Sequence, residues 1–153
     1  MNQNDHIKAQ IIEKLNKLID NKIALLKNSI AIDKESRDNE TKSSVGDKYE
    51  TGRAMVQMEL EKNQALLNQT ENLKSSLNKI DIQKEFKKVE FGSFIKTNLG
   101  NYFVSIAFGK IKIDEQPVYC ISPISPFGKI LGGKIANEKF VFQGREIHIK
   151  TIY

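Results

Sequence analysis

Proline is missing from the first 84 residues, and the only glycines there are Gly46 and Gly52. Aromatic residues are as scarce, with Tyr49 alone in that stretch. A compact sheet needs turn residues and bulky cross-strand side chains, so this half has the makeup of long helices instead. Cysteine is nearly absent too. Cys120 is the single one, which excludes an internal disulfide and a cysteine-rich zinc site. No run approaches the roughly 18 apolar residues of a membrane span. The opening MNQNDHIKAQIIEKL mixes polar and apolar residues where a signal peptide would segregate them. The expectation is a cytoplasmic protein with no membrane contact.

A large excess of one charge is also lacking. The chain of 153 residues carries 24 basic and 19 acidic side chains, a net of +5. Cut after Lys84, the first part holds 14 basic and 13 acidic residues and the second 10 and 6. The surplus sits in the second part and is far from the dense Lys/Arg block of a nucleic-acid tail. The length suits one or two small domains, not a large enzyme.

What the first part does have is periodicity. Ile12, Leu15, Ile19, Ile23, Leu26 and Ile30 recur at three and four, which is one stripe of a helix. A second stripe runs through Leu66, Thr70, Leu73, Leu77 and Ile80, extended upstream by Val56, Leu60 and Asn63. One narrow seam per helix predicts an antiparallel coiled-coil hairpin over residues 1–84, with arms of about 40 Å. Its connection falls within residues 34–50, KESRDNETKSSVGDKYE, with the tip near 36–50. Ser, Asn, Asp and Gly there are loop chemistry. Gly46 would permit the turn. Asp47 would serve as N-cap of the return helix, with Glu50 three residues on as in a capping box.

Residues 85–153 alternate like a sheet. GSFIKTNLGNYFVSIAFG predicts two strands turning at Asn98 to Asn101, and QPVYCISP a third. KFVFQGREIHIKTIY predicts strands on either side of Gln143-Gly144, with Ile147, Ile149 and Ile152 favouring one face. Between them SPISPFGKILGGK is loop and turn with one short helix. The class is therefore α+β: a helical hairpin followed by a small, bent antiparallel β domain.

Three tempting sites dissolve on inspection. Cys120 lies in an apolar strand between Tyr119 and Ile121, and the only histidines are His6 and His148, so it reads as a small buried hydrophobe rather than a nucleophile. His148 alternates with Ile147 and Ile149 and belongs on their opposite, solvated face. GKILGGK lacks the Walker spacing and the Ser/Thr after lysine, so its glycines are turn residues.

The second half carries a resemblance. SPFGKILGGK, Ser125 to Lys134, is similar to the C-terminal signature of the Gre family of bacterial transcript-cleavage factors, with Ser125, Pro126, Lys129, Leu131, Gly133 and Lys134 at the family's spacing. VEFGSFI, Val89 to Ile95, resembles the family's entry into that domain, and REIHIKTIY its last strand. Gly46, Asp47 and Glu50 match the family's tip, a Gly-Asp followed three residues later by Glu. The resemblance implies an FKBP-like second domain, a fold from which prolyl isomerase activity does not follow. It implies a monomer whose hairpin enters the secondary channel of bacterial RNA polymerase and stimulates cleavage of backtracked RNA. RNA and DNA would be met only indirectly, through the elongation complex. Asp47 and Glu50 would help hold a Mg²⁺ shared with the polymerase and orient the attacking water, a trans-acting cofactor role without independent enzyme activity. Ser125, Pro126, Lys129 and Lys134 are the expected polymerase contacts. Two other outcomes fit the same residues. One is a Gre-fold channel regulator that does not stimulate cleavage, with Asp47 and Glu50 as caps; the other is a hairpin adaptor for another protein.

Overall fold

A computed structural model describes the backbone of residues 2–42 and 46–153, and the side chains of these except at 40–42 and 46–49. The protein is α+β. Helices α1 (Gln3–Lys42) and α2 (Gly46–Leu77) precede strands β1 (Phe94–Thr97), β2 (Gly100–Val104), β3 (Gly109–Ile113) and β4 (Gln116–Ile121). Helix α3 (Pro126–Leu131), β5 (Lys139–Phe142) and β6 (Arg145–Ile152) follow. The chain forms two compact units: Asn16–Lys74, and Met1–Leu15 together with Ser75–Tyr153.

In the first unit α1 and α2 pair along the expected stripes. Ile19, Leu26 and Ile30 of α1 and Leu60 of α2 are buried, flanked by half-buried Ile23, Val56, Leu66 and Leu73. Thr70 is buried in the same seam, where its hydroxyl donates to the Leu66 carbonyl at 2.7 Å. That bond satisfies the only polar group the side chain brings. Cross-helix polar contacts fix the direction. Asp20 pairs with Lys74, Asn63 Nδ2 donates to Asp33 at 2.9 Å, and Arg37 donates to Gln57 at 3.4 Å. Partners climb α1 as they descend α2, which is the antiparallel register. Apolar contacts dominate up to Ile30 and Leu60, and polar ones take over beyond.

Residues 34–42 depart from their loop-like composition. They continue α1 to Lys42, and α2 begins at Gly46, so the connection is no longer than residues 43–45, which lie outside the described residues. Lys34, Glu35, Arg37 and Glu40 are adequate helix formers. Asp33 and Arg37 are in addition tied to α2.

In the second unit the six strands lie in the order β3-β4-β2-β1-β6-β5. All neighbouring pairs are antiparallel except β2 and β4, which run parallel. The parallel pair arises because β3 and β4 form a tight hairpin whose return strand inserts beside β2. Asp114 and Glu115 both adopt positive φ (48° and 65°) at that turn. Strand β3, GKIKI, takes the outer edge with Lys110 and Lys112 exposed, charges that discourage further strand addition. One face of the sheet forms the main core: Ile95, Val104 and Ile149 pack with Val89 and with Leu131 of α3, supported by Ile121 and Ile152. Strict alternation would put Ile152 on the other face from Ile147 and Ile149. Strand β6 has a register shift against β1 between Lys96 and Thr97, so one step on β1 spans two on β6, from Ile149 to Thr151. This bulge restores Ile152 to the core side.

The opposite face carries Phe94, Phe103, Val118 and Cys120, all buried. It meets the first turns of α1: Ile7 lines a small cavity with Phe94 and Val118, and Lys14 Nζ donates to the Lys112 carbonyl at 2.6 Å. Lys8 is buried beside them, with Nζ over the Phe86 ring at 4.6 Å and 3.5 Å from the Lys84 carbonyl. Burial lowers its pKa, opposed by the charges of Asp5 and Asp81.

Candidate functional site

The hairpin tip holds the first candidate pair. Asp47 is the second residue of α2 and Glu50 the fifth. An N-cap stands before the first helical residue, so the expected capping box from Asp47 to Glu50 is displaced into the helix itself. The reason is that α2 starts at Gly46, two residues earlier than an N-cap at Asp47 would place it. Acids in a first turn still suit the positive end of the helix dipole. Glu50 is exposed, and the side chain of Asp47 lies outside the described residues. Among the described residues no three His, Cys, Asp or Glu side chains converge as a cation site.

The second candidate is the Ser125–Lys134 segment, and its geometry explains the motif. Ser125 is the N-cap of α3: its hydroxyl accepts from the Gly128 N–H at 3.0 Å and donates to the Ser122 carbonyl at 2.7 Å. Pro126 takes the first helical position, where its missing N–H costs nothing. Gly128 sits against the preceding loop so tightly that a Cβ there would lie 2.1 Å from the Ser122 carbonyl oxygen. Gly133 ends the helix with φ of 81°, and its N–H donates to Val89 while Val89 donates to the Lys134 carbonyl. Leu131 is fully buried in the core. Lys134 is half-buried with its amine 5.0 Å from the centre of the Phe140 ring.

Of the four expected contact residues, Ser125 and Lys134 are thus engaged within the fold, and Pro126 and Lys129 are exposed. Exposed Ile124 and Ile130 adjoin them in the chain, and exposed Ile135 follows Lys134.

Cys120 is buried and its thiol is pushed up to about 12 by desolvation, so it is not a nucleophile at neutral pH. His148 is half-buried; its backbone N–H donates to Asn98 Oδ1 at 2.7 Å, a structural tie between β6 and the β1–β2 turn.

Sequence reasoning missed a cavity of about 520 Å³ in the sheet unit. Its aromatic walls are Tyr102, Tyr119, Phe127 and Phe142, with Arg145 at the rim. Tyr102 and Tyr119 are register partners on the parallel strands β2 and β4, and their rings lie 5.5 Å apart. The ring of Phe127 of α3 lies tilted at 51° to those of Tyr102 and Phe142, with centroids 4.8 Å and 5.0 Å away. Phe142 and Arg145 face each other across the β5–β6 hairpin, whose turn residues Gln143 and Gly144 both have positive φ (49° and 76°). These residues come from two strands, a hairpin and a helix, and the parallel pairing of β2 with β4 makes the two tyrosines neighbours. A signal did exist in the spacing of Tyr102, Tyr119, Phe127, Phe140 and Phe142, aromatics crowded into one domain.

No helix among the described residues is long and apolar enough to cross a membrane. No family model matches the chain, and no curated protein matches it.

Proposed function

We propose that this chain is a Gre-type factor that places its helical hairpin in the secondary channel of bacterial RNA polymerase and stimulates cleavage of backtracked RNA. The observation that carries the reading is the position of Asp47 and Glu50 in the first turns of α2, directly after the connection of a two-helix rod. Such a rod has no interior for a substrate. Whatever chemistry its end performs must be completed by a partner's groups.

Two carboxylates are hard oxygen donors of the kind Mg²⁺ takes, and they leave most of a six-oxygen shell to be filled from elsewhere. Asp47 and Glu50 would hold the ion together with the polymerase, where it would supply Lewis acidity to phosphodiester hydrolysis. On this reading the helix start keeps both acids within one turn and a half, and Glu50 is exposed toward the partner. Exposed Pro126 and Lys129, with Ile124, Ile130 and Ile135 beside them, provide a docking patch on the sheet unit.

The test is an RNA cleavage assay on stalled, backtracked elongation complexes with Mg²⁺. The purified protein should shorten the transcript from its 3′ end, and Asp47→Asn with Glu50→Gln should abolish shortening while binding persists. The second reading is a channel regulator that does not stimulate cleavage. It is favoured by Thr51, Gly52, Arg53 and Ala54, which follow Glu50 where the family has Asn and a further Glu-Tyr. Binding without shortening would select it; no binding at all would discard both.

A further inference from the structure

The cavity between β2, β4, α3 and the β5–β6 hairpin lies outside the residues used above. Its volume of about 520 Å³ falls within the roughly 300–1,000 Å³ of ordinary ligand pockets. Its charge is one-sided. Tyr102, Tyr119, Phe127 and Phe142 offer ring faces and edges, and Ile147 closes the base. Every polar side chain there can donate: the guanidinium of Arg145 only donates, while the phenol hydroxyls of Tyr102 and Tyr119 and the amide of Gln143 donate or accept. No carboxylate among the described residues lines it. Among the described residues Arg145 has no ion-pair partner, and neither phenol has a hydrogen-bond partner. Tyr102 stays protonated at neutral pH, since burial and the neighbouring Tyr119 raise its pKa more than Arg145 lowers it.

An apolar slot with one cation and no carboxylate in its lining is complementary to a bulky ring carrying anionic acceptors beside it. Exposed Leu99 on the β1–β2 turn and exposed Gln143 and Arg145 on the β5–β6 hairpin border its mouth. An extended chain can lie across such a mouth and insert one side chain.

We propose that this cleft is a peptide-binding site for an acidic segment with an aromatic anchor. The anchor ring stacks on Phe127 and Tyr102. A flanking Asp or Glu pairs with Arg145, with the phenol hydroxyls donating to the same carboxylate or to the peptide backbone. The site is independent of the hairpin tip and of the polymerase reading.

The chain contains no tryptophan. A tryptophan peptide therefore reports its own burial without background. Acetyl-Glu-Trp-Glu-amide, titrated with the full chain at low salt, should show a saturable blue shift and a rise in anisotropy. Acetyl-Lys-Trp-Lys-amide should bind at least about tenfold more weakly, and Arg145→Gln should weaken the acidic peptide by about tenfold. Arg145 is exposed, so this variant should melt with the parent, which separates loss of binding from loss of fold. Tyr102→Phe with Tyr119→Phe keeps both rings and should lower affinity while leaving the blue shift intact. The proposal is overturned by no saturable shift at millimolar protein, by equal binding of the lysine peptide, or by an unchanged affinity in Arg145→Gln. Indole-3-acetate binding as tightly as the peptide would also overturn it, since the cleft would then take a small molecule. No polymerase enters the measurement, so its failure would leave the cleavage reading standing.

Discussion

Gly128→Ala sets two effects of opposite sign against each other. Gly128 is inside α3, and in an unconstrained helix the change to alanine stabilises by about 1 kcal/mol. Here the new Cβ would stand 2.1 Å from the Ser122 carbonyl oxygen, 2.8 Å from Ser125 Oγ and 3.1 Å from the Pro123 carbonyl carbon. Ordinary contact begins near 3.4 Å, so the Ser122 carbonyl must retreat by about 1 Å. It is backbone and cannot swing aside. It also accepts from the Ser125 N–H at 3.1 Å and the Ser125 hydroxyl at 2.7 Å, so its retreat pulls the N-cap out of place. Overpacking of this kind costs about 1–3 kcal/mol and a lost cap about 1 kcal/mol. Set against the propensity gain, the net loss is about 1–3 kcal/mol. A domain of 60–100 residues loses roughly 4–8 °C of melting temperature per kcal/mol, so the sheet unit should melt about 4–24 °C lower. Near-ultraviolet circular dichroism follows that unit selectively, because every tyrosine and phenylalanine except Tyr49 lies after residue 84. Ser125→Ala, which removes only the cap, should lower the same transition by about 4–8 °C. A Gly128→Ala protein that melts with the parent or above it would refute the steric account of the motif.

Two further outcomes can be checked by urea unfolding. Lys8 has its pKa lowered from the ordinary 10.5, first by burial. The unfolded chain therefore holds more protons than the folded one between the lowered value and 10.5, and stability rises with pH across that window. Lys8→Met removes this linkage, so its advantage over the parent should be larger at pH 7 than at pH 10.5; an advantage that grows with pH would contradict the burial. Leu60 is 2 % exposed and Met58 70 % exposed on the same helix. Leu60→Ala should cost the hairpin about 2–4 kcal/mol and Met58→Ala less than about 0.5 kcal/mol.

Much of the fold was legible because its signals are local. The stripes through Ile19, Leu26 and Ile30 and through Leu60, Thr70 and Leu77 needed only the helical period. Gln143-Gly144 and Asn98-Leu99 announced their turns. What escaped depends on partners far along the chain. GKIKI did not read as a strand because an edge strand needs apolar residues on one side only, and its two lysines mask the single buried Ile111. Residues 34–42 read as loop because Ser, Asn and Asp dominate the eye, while the bonds of Asp33 and Arg37 to α2 are invisible in sequence. Ile152 was placed on the core face, and the bulge in β6 is the reason that placement holds against simple alternation. At the candidate sites the position of Asp47 and Glu50 was readable, but their displacement from cap into helix follows from where α2 starts. The aromatic cleft was hidden by the parallel pairing of β2 with β4, which no local pattern encodes.

Cys120 offers a practical opening. A lone thiol that is buried and held protonated up to about 12 is silent toward maleimides and other thiol reagents in the folded protein. Any cysteine introduced on the surface then becomes the sole reactive handle, with no need to strip the native one. Replacing Glu50 by cysteine would let a spin label or a tethered iron chelate be mounted at the hairpin end. Hydroxyl-radical footprints from such a chelate would map what the end of the hairpin touches, nucleic acid or protein, without assuming the answer.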